Sequence, residues 1–151
     1  MVYMKLEDQV VNLESSKKLK ALGAEQKSLY FWAVEMNEGR ETNKWSLCQG
    51  EHLLPDHPKY SAFTVSELGG MLPAEIVHAR KTNDIELVFE LILFKRHENI
   101  SGFYCDYRES SGGSISDFIH GSLHSVAEGR TEAEARGKML IYLLENKLIK
   151  I

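Results

Sequence analysis

The sequence is short of the features that usually announce chemistry. Its 151 residues hold only two cysteines, Cys48 and Cys105, and no CxxC spacing. That excludes a dithiol redox site or a cysteine-built zinc site, and predicts two reduced, buried thiols, each inside an apolar, strand-like run. A disulfide between them requires their strands to be neighbours. There is no HExxH, no GxGxxG and no GxSxG, so the common signatures of zinc hydrolases, dinucleotide sites and nucleophile elbows are missing. Positive charge is also scarce: 18 Lys and Arg face 22 Asp and Glu, for a net charge of −4. A chain so balanced is unsuited to broad, nonspecific nucleic-acid binding, which depends on cations that neutralise phosphates. It leaves room for a local basic patch. Long apolar runs are lacking as well. The longest, Met139 to Leu144, is far too short to span a bilayer. Residues Met1 to Asp8 have no apolar core of the signal-peptide kind. The expectation is a soluble, cytoplasmic protein with no membrane association, no cofactor and no metal.

What is present is an ordinary globular composition, 43% hydrophobic and 26% charged. The length fits one domain over residues 1–151, large enough to bury roughly 68–70% of its unfolded surface. No internal repeat or low-complexity tract interrupts it.

The clearest element is the last helix. Thr131 and Glu134 form a capping box, and apolar or small residues recur at 133, 137, 140, 144 and 148, widened by Met139 and Leu143. So broad a stripe predicts a sheet as its partner. Asn12 to Leu22 reads as a short helix, capped by Asn12 and stopped by Gly23, and Thr64–Glu67 is a second capping box ahead of Pro73. Leu29–Val34 and Lys44–Gln49 read as the strands of a hairpin around a polar turn at 37–43. Gly50 to Phe63, with Pro55 and Pro58, reads as a loop. Ile85–Phe94 alternates as a strand, while Ile85, Val88, Phe89 and Ile92 also fit a helical face; its β-formers and the lack of a cap favour the strand. Lys95–Ser101 then turns the chain, Gly102–Arg108 returns, and Phe118–Ala127 adds a further strand. Hairpins separated by helices predict an α+β fold: an antiparallel sheet, a C-terminal helix packed on it and two short helices. The apolar tail, residues 147–151, suits either a docked strand or a dimer contact.

Candidate binding residues fall into three groups. Lys17, Lys18 and Lys20 cluster on the first helix, where they make either its wet face or a phosphate contact. Tyr30, Trp32 and Trp45 lie on the first hairpin, and Phe103 and Tyr107 share a face of another strand. Aromatics on a sheet stack bases in single-strand binders, and more often they form core. His52, Asp56, His57 and Tyr60 sit in the 50–63 loop, the kind of segment that often carries binding residues. His120 and His124 are four apart, but on a strand they lie about 13 Å from each other, too far for joint ligation. Glu86 and Glu90 share a strand face and read as solvated. Ser110–Ser114 is not followed by Lys-Ser or Lys-Thr and reads as a turn. No spacing assembles a catalytic constellation, so no catalytic residue is assigned.

Three stretches carry a resemblance. They are Leu13–Gly23 with Gln26–Trp32, Tyr60–Pro73, and Glu132–Asn146. Together, in that order, they resemble uncharacterised small proteins encoded by bacteriophages and prophages of gut anaerobes. The resemblance implies an origin and no activity. Residues 74–130 follow it less closely. Three functions are therefore in play: a non-enzymatic module engaging a host or phage protein, a nucleic-acid-associated accessory protein, and a small enzyme with a dispersed site.

Overall fold

Each of the three α-helices given below begins where a side chain accepts from a free amide of its first turn. The computed structural model describes residues 5–53, 55–79, 86–95, 102–109, 113–115 and 127–151, with the backbone alone for residues 52, 78, 79, 86, 94 and 95. In α1 (Leu13–Ala21), Asn12 Oδ1 accepts from the Ser15 amide at 2.8 Å. Gly23, at φ +96°, closes the helix: its amide bonds Lys20 O and the Ala24 amide bonds Leu19 O, the paired pattern that a left-handed residue permits. In α2 (Val65–Met71) both halves of the capping box form between Thr64 and Glu67. In α3 (Glu132–Glu145) only half of the expected box forms. Thr131 Oγ1 accepts from the Glu134 amide, but the Glu134 carboxylate accepts from Arg130 N, one residue earlier than expected.

The strands make two antiparallel sheets. The first has the order β2-β1-β3, from β1 (Tyr30–Asn37), β2 (Arg40–Gln49) and β3 (Lys59–Ser61); the second runs β4-β5-β6-β7, from β4 (Glu75–Ala79), β5 (Glu86–Lys95), β6 (Phe103–Arg108) and β7 (Ala127–Gly129). The fold is α+β, as the sequence suggests, with three departures. The β1–β2 turn is two residues, Glu38 and Gly39, both at positive φ, the geometry that matches strand twist in tight hairpins. The polar run 37–43 is thus mostly strand. The predicted 50–63 loop contains a short helical turn at Gly50–His52 and the strand β3. Residues 75–79, left unassigned by the sequence, form β4. Of the Ser110–Ser114 turn, Gly113 and Ser114 are described: Gly113 O accepts from the Glu109 amide at 3.0 Å, and Ser114 bridges Arg108. Of the expected strand Phe118–Ala127 only Ala127 is described, and it opens β7; the expected turn after Lys95, His120 and His124 lie outside the described residues.

α3 rests on β6 and β7 and is flanked by α1 and α2. Enclosed on several sides, it buries more than one stripe: Ala133, Ala135, Gly137, Met139, Leu140, Ile141, Tyr142 and Leu143. The facing side of the second sheet supplies Ile76, Phe89, Cys105 and Tyr107, with Leu87, Leu91, Leu93 and Phe103 partly buried around them. Phe103 and Tyr107 therefore belong to the core face, where Tyr107 is fully buried and its hydroxyl donates to Pro73 O at 2.5 Å. At Gly137 an added Cβ would lie 2.5 Å from Val11 Cγ1; only glycine lets the helix come this close to the chain entering α1. Leu148 and Ile149 of the tail pack on the core without joining a sheet, and Ile151 stays exposed.

Candidate functional site

Cross-strand pairing fixes which side chains share a face of the first sheet. Trp32 lies opposite both Leu47 and Tyr60, and Val34 opposite Trp45. One face thus carries Tyr30, Trp32, Val34, Trp45, Leu47 and Tyr60, because paired residues project to the same side. α1 crosses this face. Lys17 and Lys20, one helical turn apart, bring their ammonium groups over the aromatics. Lys17 Nζ stands 4.9 Å from the Trp45 ring centre and 5.7 Å from that of Tyr60; Lys20 Nζ stands 4.9 Å from Tyr60. The two rings are 5.3 Å apart and tilted by 43°. Each such cation–ring contact contributes about 0.5–1 kcal/mol at an exposed site. Lys20 Nζ also donates to Lys59 O at 3.5 Å.

Both lysines are exposed and both rings are half-buried. Among the described residues neither lysine forms an ion pair with a carboxylate. The result is two neighbouring cations, held by the negative faces of two rings and, among the described residues, left without an anion. This can attract a carboxylate or phosphate group, while the half-buried rings add apolar contact. The ring faces themselves are already met by ammonium groups, which leaves little bare π surface for a base.

The remaining candidates are placed elsewhere. Lys18 points to the other side of α1 and pairs with Glu145 of α3 at 2.8 Å. Trp32 is half-buried, and its Nε1 donates to Val11 O at 2.8 Å, tying the first sheet to the chain entering α1. Tyr30 shares the aromatic face at the start of β1. His57 Nε2 donates to Val34 O at 2.8 Å. The side chain of His52 lies outside the described residues. Among the described residues no three His, Cys, Asp or Glu side chains gather to hold a metal ion, and no helix is long and apolar enough to cross a membrane.

Two other places invite a chemical reading. A cleft of about 360 Å³ between α1 and α3 is lined by Asn12, Glu14, Lys18, Lys138, Tyr142 and Glu145, among others. Its cations are already committed, Lys18 to Glu145 and Lys138 to Glu134 at 3.0 Å. The second is β6. Asp106 is buried and accepts from the Tyr107 amide at 2.8 Å, Ser114 Oγ at 2.7 Å and Arg108 Nε at 3.1 Å. Cys105 beside it is fully buried, and burial pushes its thiol up to about 12, against a smaller opposing pull from Arg136. A thiol held protonated is a poor nucleophile. Cys48, half-buried on β2, belongs to the other sheet, and both cysteines are free.

The sequence places Lys17 and Lys20, Trp45, and Tyr60 in three separate groups; the structure brings these four together. It missed Glu67 as a latch. Besides capping α2, this carboxylate accepts from Ser28 Oγ at 3.0 Å and from the Leu29 amide at 3.1 Å, fixing the entry to β1. A capping-box glutamate is legible in sequence, but its second pair of partners lies 38 and 39 residues away. Comparison with known proteins finds no match to a family model, to a curated protein or to a solved structure.

Proposed function

We propose that the chain is a non-enzymatic binding module that engages an acidic segment of a protein partner through Lys17, Lys20, Trp45 and Tyr60. One observation carries the reading: two ammonium groups stand over a pair of aromatic rings and have no carboxylate partner among the described residues. A protein of net charge −4 that keeps such a patch can steer an anionic segment to it by local complementarity. On the resemblance to phage and prophage proteins, the partner is a host or phage protein and the compartment is the bacterial cytoplasm.

The test is a titration with a glutamate-rich decapeptide, followed by tryptophan fluorescence. The wild-type protein should show a saturable change that weakens as salt is added. The double substitution Lys17→Glu, Lys20→Glu should reduce affinity about tenfold or more, a loss of about 1.4 kcal/mol. Both positions are exposed, so helix content by circular dichroism should stay unchanged. No saturable signal, or equal affinity in the charge-reversed protein, refutes the proposal.

A further inference from the structure

Among the described residues the two sheets have four outer edges, and three of them carry the devices that discourage strand addition. Along β2 the register shifts opposite Val34–Met36, and Arg40, Glu41 and Lys44 are exposed. β3 is three residues long and follows Pro58. On β7, Lys138 of α3 donates to Glu128 O at 2.7 Å. The edge of β4 is different. It has five residues, no lysine, no proline and no register shift, and Val77 on it is 57% exposed.

Which peptide groups face outward follows from one hydrogen bond. Leu91 N donates to Ala74 O at 2.9 Å, so Ala74 and Leu91 are a bonded pair in the register that places Glu75 opposite Glu90 and Val77 opposite Val88. Bonded and non-bonded pairs alternate along an antiparallel ladder. Ile76 and His78 therefore turn their amides and carbonyls toward β5, while Glu75, Val77 and Ala79 turn theirs to the open side. Among the described residues no strand takes them.

We infer that β4 pairs antiparallel with β4 of a second copy of this chain, about a two-fold axis at Val77. Three features of the strand make it its own complement. In that register Val77 meets the partner's Val77 as a bonded pair, and Glu75 meets the partner's Ala79, so the acidic side chains do not oppose one another. Every outward amide and carbonyl of the edge finds a partner. The exposed pair Val77 and Val88, 57% and 44% accessible, becomes continuous with the same pair on the second copy, giving one apolar band across the joined sheet. A five-residue ladder buries far less than the roughly 1,200–2,000 Å² typical of stable complexes, so the association is weak and concentration-dependent. Its two-fold symmetry closes it at two subunits.

Sedimentation equilibrium from micromolar to millimolar protein tests this. The weight-average mass should rise from one chain toward two and no further. Val77→Pro removes only an outward amide and puts a ring in the partner's path; Val77→Lys adds a charge on the axis and covers the case in which proline disturbs β4. Both variants should remain monomeric over the same range with unchanged circular dichroism. A monomer at every concentration overturns the inference and leaves the edge to a strand of another protein. So does a mass rise that survives in a folded variant, or growth beyond two chains.

Discussion

From below pH 9 to above pH 12 the protein should lose about 4 kcal/mol of stability through Cys105 alone. Burial lifts this thiol from an ordinary 9.0 to about 12, and each pH unit of such a displacement is worth about 1.4 kcal/mol. Below pH 9 both the folded and the unfolded chain keep the proton, and the contribution is fully present. Above pH 9 the unfolded chain releases it while the native state holds it, so unfolding becomes easier as pH rises. The loss is complete once the native thiol also ionises. Tyr107 acts in the same direction, since burial raises its phenol and the neighbouring Cys105 adds to the effect; Tyr142 follows for the same first reason. The tyrosines ionise above about pH 10 in the unfolded chain, so the interval from pH 9 to 10 reports mainly on the thiol. Urea unfolding at half-unit steps measures the slope. Wild type should fall by about 1 kcal/mol across that unit, because the unfolded thiol is only half ionised at pH 9, and Cys105→Ala should be flatter. A flat wild-type profile, or an equal slope in the variant, contradicts the assignment of Cys105 to a dry core.

The second large effect concerns α3. Leu140→Ala should cost about 2–5 kcal/mol, the range for truncating a leucine in a rigid core. Leu140 is fully buried where α3 meets the second sheet and its flanking helices. Leu144, one helical turn on and part of the same sequence stripe, is only partly buried, so Leu144→Ala should cost about 1 kcal/mol. Equilibrium denaturation of the two variants measures the contrast. Equal costs would mean that the helix presents a single stripe to a single surface, as its periodicity alone suggests.

That contrast shows what the sequence does and does not encode. Caps are local, so Asn12, Thr64 and Thr131 could each be read from the residues within one turn, and all three cap their helices. The alternation of Leu87, Phe89, Leu91 and Leu93 against Val88, Glu90 and Ile92 is likewise local, and it sorts inner from outer face correctly. β3 and β4 are not local. Lys59–Ser61 is too short to show a period, and Glu75–Ala79 becomes a strand by pairing with β5. The burial of Ile141 and Tyr142, which lie off the predicted stripe, comes from α1 and α2 closing around α3. The candidate site is of this second kind. Lys17 and Lys20 look like the wet face of a helix until α1 is laid across Trp45 and Tyr60, and that crossing is set by tertiary contacts such as the bond from Trp32 to Val11 O.

On the function proposed above, the same crossing favours a protein ligand over a nucleic acid. Base stacking needs an open aromatic face, whereas here the ammonium groups of Lys17 and Lys20 occupy the faces of Trp45 and Tyr60. The direct measurement is a side-by-side fluorescence titration, at one low salt concentration, with a glutamate-rich peptide and an oligothymidylate of equal charge. The peptide should bind more tightly, with the difference kept in Trp45→Phe and lost in the Lys17→Glu, Lys20→Glu protein. Tighter binding of the oligothymidylate, weakened by Trp45→Ala, would contradict the account and make the patch a stacking platform.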